Sequence, residues 1–260
     1  MTLRTCTKVN IGLNVLRRRP DGYHDLETLF VPYYGFGDVL EVEPADELRI
    51  HIRREGGVDW DPMQDLTVKA WRLLKADFPD LPPVDIKLWK YAPVGAGLGG
   101  GSADAAFMLG ALNEIGGLRL GDNDLAGYAS KLGSDCAFFI YCVPMFGSGR
   151  GELLEPFDID LSPYELKVEI PLSTSGTPVA VSTREAYGGI LPMERRKLPL
   201  REALKLPVLQ WKGLVVNDFE ASVCPLHPEI PALIDDFYRR GAVYASMSGS
   251  GSSVFGLFLR

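Results

Sequence analysis

The sequence lacks the residues and runs on which several classes of protein depend. Its four cysteines and three histidines are scattered, form no C-x-x-C pair and show no zinc-ligand spacing. We therefore expect reduced thiols that serve as small apolar side chains, and no metal site built from protein ligands. The best apolar run, Ala137–Val143, falls far short of the ~20 residues of a membrane-spanning helix. No membrane partner is expected.

The chain also lacks an excess of positive charge. The chain carries 27 lysines and arginines against 34 aspartates and glutamates, a formal net charge of −7. Non-specific nucleic-acid binding relies on a basic surface that neutralises phosphates, so no nucleic-acid partner is expected. Asn10 and Asn14 interrupt the apolar residues near the N-terminus, which also lacks a small-residue cleavage site. We read this segment as mature structure, not a signal peptide, and expect a cytoplasmic protein, monomeric or homodimeric.

The 260 residues have the composition of an ordinary folded protein, with 46% hydrophobic and 23% charged residues. Their spacing predicts strands at 7–16, 84–89, 137–143 and 166–170, and a strand–turn–strand unit at 242–258. It also predicts a hairpin from 39–42 and 48–52. Helices are expected from Asp61, with Asp61 as N-cap, and over 103–112, 123–132 and 230–240. Gly133 is expected to be a left-handed helix C-cap.

These elements mix without a regular βαβ alternation, which favours an α+β fold. Glycine and proline become frequent around 144–150, so we place a domain boundary there, with domains at 1–146 and 147–260.

The strongest motif is a glycine loop between a predicted strand and a predicted helix. Five of the seven residues Gly95–Gly101 are glycine, a density that suits backbone approaching a ligand closely. Backbone N–H groups and the positive end of a helix dipole at such a position make an anion site, usually for phosphate.

The loop is not a Walker A motif, because Gly100-Gly101-Ser102 lacks the lysine. It satisfies the G-x-G-x-x-G pattern, but a predicted helix occupies the region where a dinucleotide fold needs a second strand with an acidic residue. The H-R-D and D-F-G signatures of protein kinases are also absent. A dinucleotide-dependent oxidoreductase stays open as an alternative.

The loop resembles the second motif of the GHMP kinases, a family that includes galactokinase, homoserine kinase and mevalonate kinase. The resemblance covers eleven residues: Pro93, Val94, Gly95, Ala96, Gly97, Leu98, Gly99, Gly100, Gly101, Ser102 and Ala103. Five further blocks resemble, in order, the branch that acts on a cytidine-diphosphate alcohol: 8–13, 19–24, 133–135, 217–220 and 247–251. Together they span nearly the whole chain.

The resemblance implies a two-domain GHMP-kinase-like fold. Its N-terminal domain would be like domain 2 of ribosomal protein S5 and its C-terminal domain ferredoxin-like α/β, with the active site in the cleft between them. It implies ATP bound by the glycine loop, an accompanying Mg²⁺, and 4-diphosphocytidyl-2-C-methyl-D-erythritol as the small-molecule substrate. Lys8 and Asp135 would be the catalytic residues. The 247–251 block would be the third family motif, which braces the phosphate loop.

The residues themselves are compatible with these roles but do not require them. From local sequence alone, the better interpretation of Asp135 is that it caps a turn after Gly133, and a lysine such as Lys8 is exposed by default. Asn10 faces the same side of the strand as Lys8 and could bind substrate oxygens. The family match points to cytosine binding by Tyr23 and His24, with Tyr187 as the opposing aromatic and Thr183 on a substrate oxygen.

Adenine contacts are implied for Lys90, Asp65 and Leu66, although asparagine is commoner in the family where Asp65 stands. No carboxylate is placed clearly as a metal ligand; Ser102 is the weakest candidate, and phosphates and water could hold the ion. Besides the oxidoreductase, two alternatives remain: another GHMP kinase for a small alcohol, which would not need the Tyr23-His24 pair, and a non-catalytic nucleotide-binding homologue.

Overall fold

A computed structural model describes residues 1–193 and 197–260. The strands are β1 (Thr2–Arg4), β2 (Thr7–Arg18), β3 (His24–Tyr33), β4 (Val39–Pro44), β5 (Arg49–Arg54), β6 (Val84–Lys90), β7 (Met145–Ser148), β8 (Leu153–Pro156), β9 (Tyr164–Glu169), β10 (Ala242–Met247) and β11 (Val254–Leu259). The α-helices are α1 (Leu66–Asp77), α2 (Gly100–Ile115), α3 (Asp122–Leu132), α4 (Phe138–Tyr141), α5 (Thr183–Gly188), α6 (Leu200–Ala203), α7 (Phe219–Val223) and α8 (Glu229–Arg239).

The chain divides into two compact units. Unit 1 comprises Met1–Thr7, Tyr34–Pro93 and Gly99–Cys142, and unit 2 comprises Lys8–Tyr33, Val94–Leu98 and Val143–Arg260. They do not coincide with the predicted domains 1–146 and 147–260, because strands β2 and β3 form one sheet with β7 and β8. The boundary near residue 146 stays a prediction.

Unit 1 is a sheet covered by helices. Its strands lie in the order β1-β4-β6-β5, with β5 and β6 parallel and the other pairs antiparallel. In β6 the burial alternates along the strand, so that Val84, Ile86 and Leu88 are fully buried and Lys90 shares their face. Helix α2 packs on β4 and on α1 and α3.

Unit 2 contains two sheets. One has the order β2-β3-β7-β8, and the other places β11 between β10 and β9 with antiparallel pairing. Side chains from β2, β10 and β11 and from helices α5, α7 and α8 share one hydrophobic core. This core holds the loops on which several predicted site residues lie.

Most of the predicted elements are confirmed: β2, β6, β9, α2, α3, α8, and the antiparallel pair β10 and β11 around the glycine-serine turn. The mixture of helices and antiparallel sheets confirms the α+β class. Within the described ranges, no helix is long and apolar enough to cross a membrane.

Four local predictions are wrong. Residues 137–143 contain helix α4 instead of a strand, since a short apolar run does not separate the two. The strands β4 and β5 exist but form no hairpin, because β6 lies between them. Asp61 is an N-cap, as predicted, but of a single 3-10 turn, and α1 begins only after Asp65. Gly133 ends α3 in an extended conformation with φ −179°.

Candidate active site

The glycine loop turns the chain into helix α2 through left-handed backbone. Gly95, Gly97 and Gly99 have φ of 72°, 75° and 72°, a conformation that glycine adopts without steric cost. Gly99 is the N-cap of α2, and no side chain caps this end of the 16-residue helix. The positive end of the helix dipole is therefore not covered by a side-chain cap, an arrangement that suits an anion.

Within unit 2, the first part of the loop packs against the glycine-serine turn between β10 and β11. A Cβ on Gly97 would lie 2.5 Å from the carbonyl oxygen of Ser248, so no other residue fits there. Ser253 donates to the Ala96 carbonyl from both its N–H (3.2 Å) and its hydroxyl (2.6 Å). The turn is held in its place by Asn217, whose Nδ2 donates to the carbonyls of Met247 and Gly249, each at 2.8 Å. These contacts fit the bracing role that the family resemblance gives to the turn.

Lys8 reaches the same loop from strand β2. Its side chain is buried, and its Nζ donates to the Gly97 carbonyl at 2.8 Å and to Asn10 Oδ1 at 2.5 Å. The Nζ also lies 5.6 Å from the centre of the Phe30 ring. The default expectation of an exposed lysine is wrong here, and a cation is fixed directly beside the glycine loop.

Asn10 joins this cation to the glycine-serine turn. Its side chain lies on the Lys8 face of the strand, as predicted, and its Nδ2 donates to Thr28 Oγ1 at 3.0 Å. Its backbone N–H donates to Ser248 Oγ at 3.0 Å. Lys8, Asn10, the loop and the turn therefore form one connected network in unit 2.

In unit 1, the start of α2 lies beside the segment that carries Asp135. A Cβ on Gly133 would lie 4.0 Å from Ser102 Oγ and 3.2 Å from Cys136 Sγ. Burial raises the pKa of the Cys136 thiol to about 11, while its hydrogen bond with Ser102 opposes that shift. Leu66 approaches the same end of the helix, 3.9 Å from the Cβ position of Gly101. A residue of the phosphate loop, a predicted adenine contact and the segment next to Asp135 therefore lie around one helix N-terminus.

The side chain of Lys90 lies between two buried carboxylates, close to the start of α2. Its Nζ bonds to Asp38 Oδ2 and to Asp104 Oδ2, which belongs to the first turns of α2. The other oxygen of Asp38 accepts the N–H groups of Tyr91 and Ala92 at 2.6 and 2.7 Å. A Cβ on Gly100 would lie 3.7 Å from Asp38 Oδ2. The ion-pair cluster of Asp38, Lys90 and Asp104 thus supports the backbone of the loop.

Burial and charge act in opposite directions in this cluster. Burial disfavours the charged form of Lys90, but the carboxylates of Asp104 and Asp38 outweigh that effect and raise the Lys90 pKa. Burial also raises the pKa of Asp104, although the Lys90 charge opposes the shift. Lys90 is therefore a cation at neutral pH.

Asp65 is engaged as a helix cap. Its Oδ1 accepts the N–H of Thr67 at 2.9 Å and the Thr67 hydroxyl at 2.7 Å, and its Oδ2 accepts the indole N–H of Trp60 at 3.2 Å. An asparagine has only one side-chain oxygen and could not accept hydrogen bonds at both positions, which gives the aspartate a structural reason in this chain.

The predicted cytosine-binding aromatics come together in unit 2 across a long sequence separation. The rings of His24 and Tyr187 stack with centroids 4.7 Å apart and planes at 20°. Phe219 supports Tyr187 edge-on at 4.7 Å. Tyr23 is 57% exposed, and the Arg150 guanidinium lies 5.0 Å from its ring centre. Thr183, the first residue of α5, is exposed.

The environment of His24 keeps it neutral. Burial, and to a smaller extent the positive charge of Arg18, lower the pKa of the imidazole. A neutral imidazole has one donor and one acceptor nitrogen, the pair of groups that a base edge requires.

Sequence reasoning missed Asp38, Asp104 and the contacts of Asn217. Two signals were present: Asp104 is a charge within an apolar helix, and Lys90 continues the buried face of β6. A charged side chain on a buried face needs an oppositely charged partner. The sequence therefore predicts a buried ion pair but does not identify Asp38 as a member of it.

Comparison with known proteins agrees with this geometry. A family model described as the GHMP kinases N terminal domain matches residues 65–142, and one described as GHMP kinases C terminal matches residues 200–260. The 4-diphosphocytidyl-2-C-methyl-D-erythritol kinase of Bacteroides fragilis is 47% identical over 254 residues, which are 96% of this chain and 89% of that protein.

Solved structures of GHMP kinases are also similar to this chain. A crystal structure of 4-(cytidine 5'-diphospho)-2C-methyl-D-erythritol kinase, 33% identical, matches with a TM-score of 0.78 over 99% of this chain and 90% of that one. A homoserine kinase from Cytophaga hutchinsonii, 18% identical, matches with a TM-score of 0.69 over 99% and 85% of the two chains and shows the shared fold alone. The chain therefore belongs to the GHMP kinase family, in the branch of the 4-diphosphocytidyl-2-C-methyl-D-erythritol kinases.

Proposed function

We propose that this protein transfers the γ-phosphoryl group of ATP to the 2-hydroxyl of 4-diphosphocytidyl-2-C-methyl-D-erythritol, a step of non-mevalonate isoprenoid synthesis. The observation that carries the proposal is the Lys8 network: a buried cation bonded to the carbonyl of Gly97 inside a glycine loop that opens an uncapped helix. The near-full-length match to kinases named for this substrate supports the choice of acceptor.

Asp135 is proposed as the general base. Phosphoryl transfer to an alcohol needs the hydroxyl proton removed and the charge on the transferring group stabilised. The carboxylate of Asp135 would take that proton, and the Lys8 ammonium would stabilise the negative charge. Because the Nζ of Lys8 has fixed hydrogen bonds to Asn10 and Gly97, it needs little reorganisation during the reaction.

The triphosphate of ATP is proposed to bind the loop residues from Pro93 to Ala103, chiefly through backbone N–H groups at the start of α2. Mg²⁺ would neutralise charge on the phosphate oxygens. The described residues contain no group of three or more histidine, cysteine or acidic side chains able to hold a metal. The Ser102 hydroxyl, an oxygen donor of the kind Mg²⁺ prefers, fits an ion held mainly by phosphates and water.

Adenine is proposed to contact Leu66 and the neighbouring Asp65 and Lys90. Leu66 borders the loop at Gly101 and offers an apolar surface. The side chains of Asp65 and Lys90 already bond to Thr67 and to the two buried aspartates. Their part in nucleotide binding is therefore proposed to be mainly through backbone groups and through positioning.

Cytosine is proposed to stack on the aromatic rings of Tyr23 and Tyr187. The neutral His24 would hydrogen-bond the base edge, and the His24–Tyr187 stack fixes the two rings before any ligand arrives. Asn10 and Thr183 would bind oxygens of the diphosphate alcohol.

The test is ADP release by the purified protein with four alcohols: 4-diphosphocytidyl-2-C-methyl-D-erythritol, homoserine, mevalonate and galactose, each with and without Mg²⁺. We expect turnover with the first alcohol only, and only with Mg²⁺. Loss of a general base typically costs about 10²–10⁴ in rate, so Asp135→Asn should lower kcat by that factor. Asp122→Asn, an exposed carboxylate in the first turn of α3, is the matched control and should keep full activity.

The proposal on Asp135 fails if the folded Asp135→Asn protein turns over within threefold of the wild type. Preference for another alcohol of the panel would instead move the chain to a different acceptor within the family. ATP binding without turnover of any of them would indicate a non-catalytic homologue.

A further inference from the structure

Two cysteines far apart in the sequence meet in unit 1. Cys6 lies between β1 and β2, and Cys142 directly follows α4, yet their Sγ atoms are 3.7 Å apart. Neither residue belongs to the proposed substrate or nucleotide contacts. No sequence pattern predicts this pair, because 136 positions separate the two residues.

The two thiols have different surroundings. Cys6 is 1% exposed, whereas Cys142 is partly exposed. Cys142 has left-handed backbone with φ 49°, and its N–H donates to the Phe138 carbonyl at 3.0 Å. Its Sγ can also donate to the Phe139 carbonyl at 3.1 Å. The end of α4 therefore fixes the outer sulfur of the pair.

Solvent reaches the neighbourhood of the pair. A surface cavity of about 320 Å³ is lined by Thr5, the residue before Cys6, and by Tyr34. Tyr34 is 72% exposed. Partial burial of its ring, and the charges that Cys142 and Cys6 can carry, raise the pKa of its phenol. A small oxidant can therefore approach this part of the surface.

The electrostatics distinguish Cys142 from the other cysteines. Either sulfur can donate the hydrogen bond that joins the pair, and this bond lowers the pKa of Cys142. Burial raises the pKa of both Cys136 and Cys224 to about 11. Because the thiolate is the reactive form and Cys142 is the partly exposed sulfur of the pair, Cys142 is the favoured nucleophile of the four.

We propose that Cys6 and Cys142 form an oxidation site, at which a hydroperoxide converts the two thiols into an intramolecular disulfide. The Cys142 thiolate attacks one oxygen of hydrogen peroxide; an S–O bond forms, the O–O bond breaks, and the hydroxide that leaves takes up a proton to give water. The Cys6 sulfur then attacks the sulfenic sulfur of Cys142, loses its own proton, and expels a second water. Two thiols thereby lose two electrons to one peroxide.

The distance suits this second step. The sulfurs must close from 3.7 Å to about 2.05 Å in a disulfide, a change that small side-chain and backbone adjustments supply. The buried Cys6 is protected from direct attack by the oxidant and serves as the resolving thiol.

The test uses the purified full chain, fully reduced and then exposed to hydrogen peroxide under native conditions. Remaining thiols are alkylated with N-ethylmaleimide, and the digested protein is analysed by mass spectrometry. We expect the loss of two of the four alkylatable thiols, a Cys6–Cys142 crosslinked peptide about 2 Da lighter than its two reduced parts, and recovery of all four thiols with dithiothreitol.

Variants identify the order of the steps. Cys6→Ser should stop at a sulfenic acid on Cys142 that dimedone traps, and Cys142→Ser should leave Cys6 unreactive. Cys136→Ser and Cys224→Ser are controls and should form the crosslink as the wild type does. The proposal is overturned if the treated protein keeps four alkylatable thiols, if Cys136 or Cys224 oxidises first, or if Cys142→Ser loses thiols at the wild-type rate. None of these readouts depends on kinase activity, so they are separate from the test of the proposed function.

Discussion

Replacing Lys90 with methionine tests whether the buried ion-pair cluster supports unit 1. The change keeps the length and most of the apolar contacts of the side chain but removes the charge that Asp38 and Asp104 share. The two carboxylate side chains are 0% and 2% exposed, so water cannot replace the ammonium. We therefore expect the free energy of unfolding to fall at neutral pH.

Removing one partner of a buried ion pair typically costs about 3–5 kcal/mol. Asp38 keeps its hydrogen bonds from the N–H groups of Tyr91 and Ala92, which places most of the cost on Asp104. With a urea m-value of about 2 kcal/mol/M, a loss of about 4 kcal/mol lowers the unfolding midpoint by about 2 M. Circular dichroism in urea measures this shift, and tryptophan fluorescence reports largely on unit 1, which contains Trp60, Trp71 and Trp89.

The loss should depend on pH in a defined direction. Burial raises the pKa of Asp104, so the native state holds this proton more tightly than the unfolded state does. Stability then falls as pH rises from the unfolded pKa towards the folded one. Removing Lys90, whose charge lowers the Asp104 pKa, strengthens this trend. The destabilisation by Lys90→Met should therefore be smaller at pH 5 than at pH 8.

Lys87→Met is the matched control, on the same strand and with the same substitution. Lys87 is bonded to Glu41 at 2.5 Å but lies at the surface, where an ion pair contributes little. The double variant Lys90→Met/Asp104→Asn should regain part of the lost stability, because it no longer buries an unpaired charge at 104. A midpoint for Lys90→Met no lower than that of Lys87→Met would refute the reasoning.

Two further predictions concern the catalytic half of the site. Gly249→Ala should lower kcat about tenfold or more, because small displacements of catalytic groups are costly. Its Cβ would lie 3.0 Å from Asn10 Oδ1 and 3.5 Å from Lys8 Nζ. Gly213→Ala controls for backbone strain and should keep its kcat, since Gly213 also has a positive φ but no atom lies within 4 Å of its Cβ. The pKa of His24 is lowered by burial, so the KM for the cytidine-diphosphate alcohol should be flat at neutral and alkaline pH and rise as the imidazole is protonated towards pH 5. His24→Gln should abolish the rise, and a rise that persists in this variant would assign the titration to another group.

The sequence predicted the site best where local geometry decides. Alternation along a strand placed Lys8 and Asn10 on one face, and glycine density identified the loop that opens α2. It failed where the deciding contact is tertiary. The apolar run at 137–143 forms a helix, and β6 separates two strands that a proline-containing turn seemed to join. Hydrophobic periodicity alone does not show which distant segment pairs with the edge of a strand.

Lys90 lies between these two cases, because its burial could be predicted from local sequence but its partners could not. The alternation of Val84, Ile86 and Leu88 predicts that Lys90 points into the core, so an anionic partner was foreseeable. Identifying Asp38 as one partner required the fold, because that residue precedes β4 and belongs to no motif.

The glycine loop has no lysine of its own, and this explains the contacts that surround Lys8 in unit 2. A Walker loop carries its own cation in sequence, whereas this loop takes one from strand β2 through the Lys8–Gly97 hydrogen bond. A cation brought from outside must be held by other groups, which Asn10 and Phe30 provide. The glycine-serine turn must then approach both the loop and the lysine, and this leaves no room for a Cβ at Gly97 and little room at Gly249. Three of the blocks that resemble the family, 8–13, 217–220 and 247–251, are therefore linked by one physical requirement, to fix a buried ammonium against a bare backbone loop.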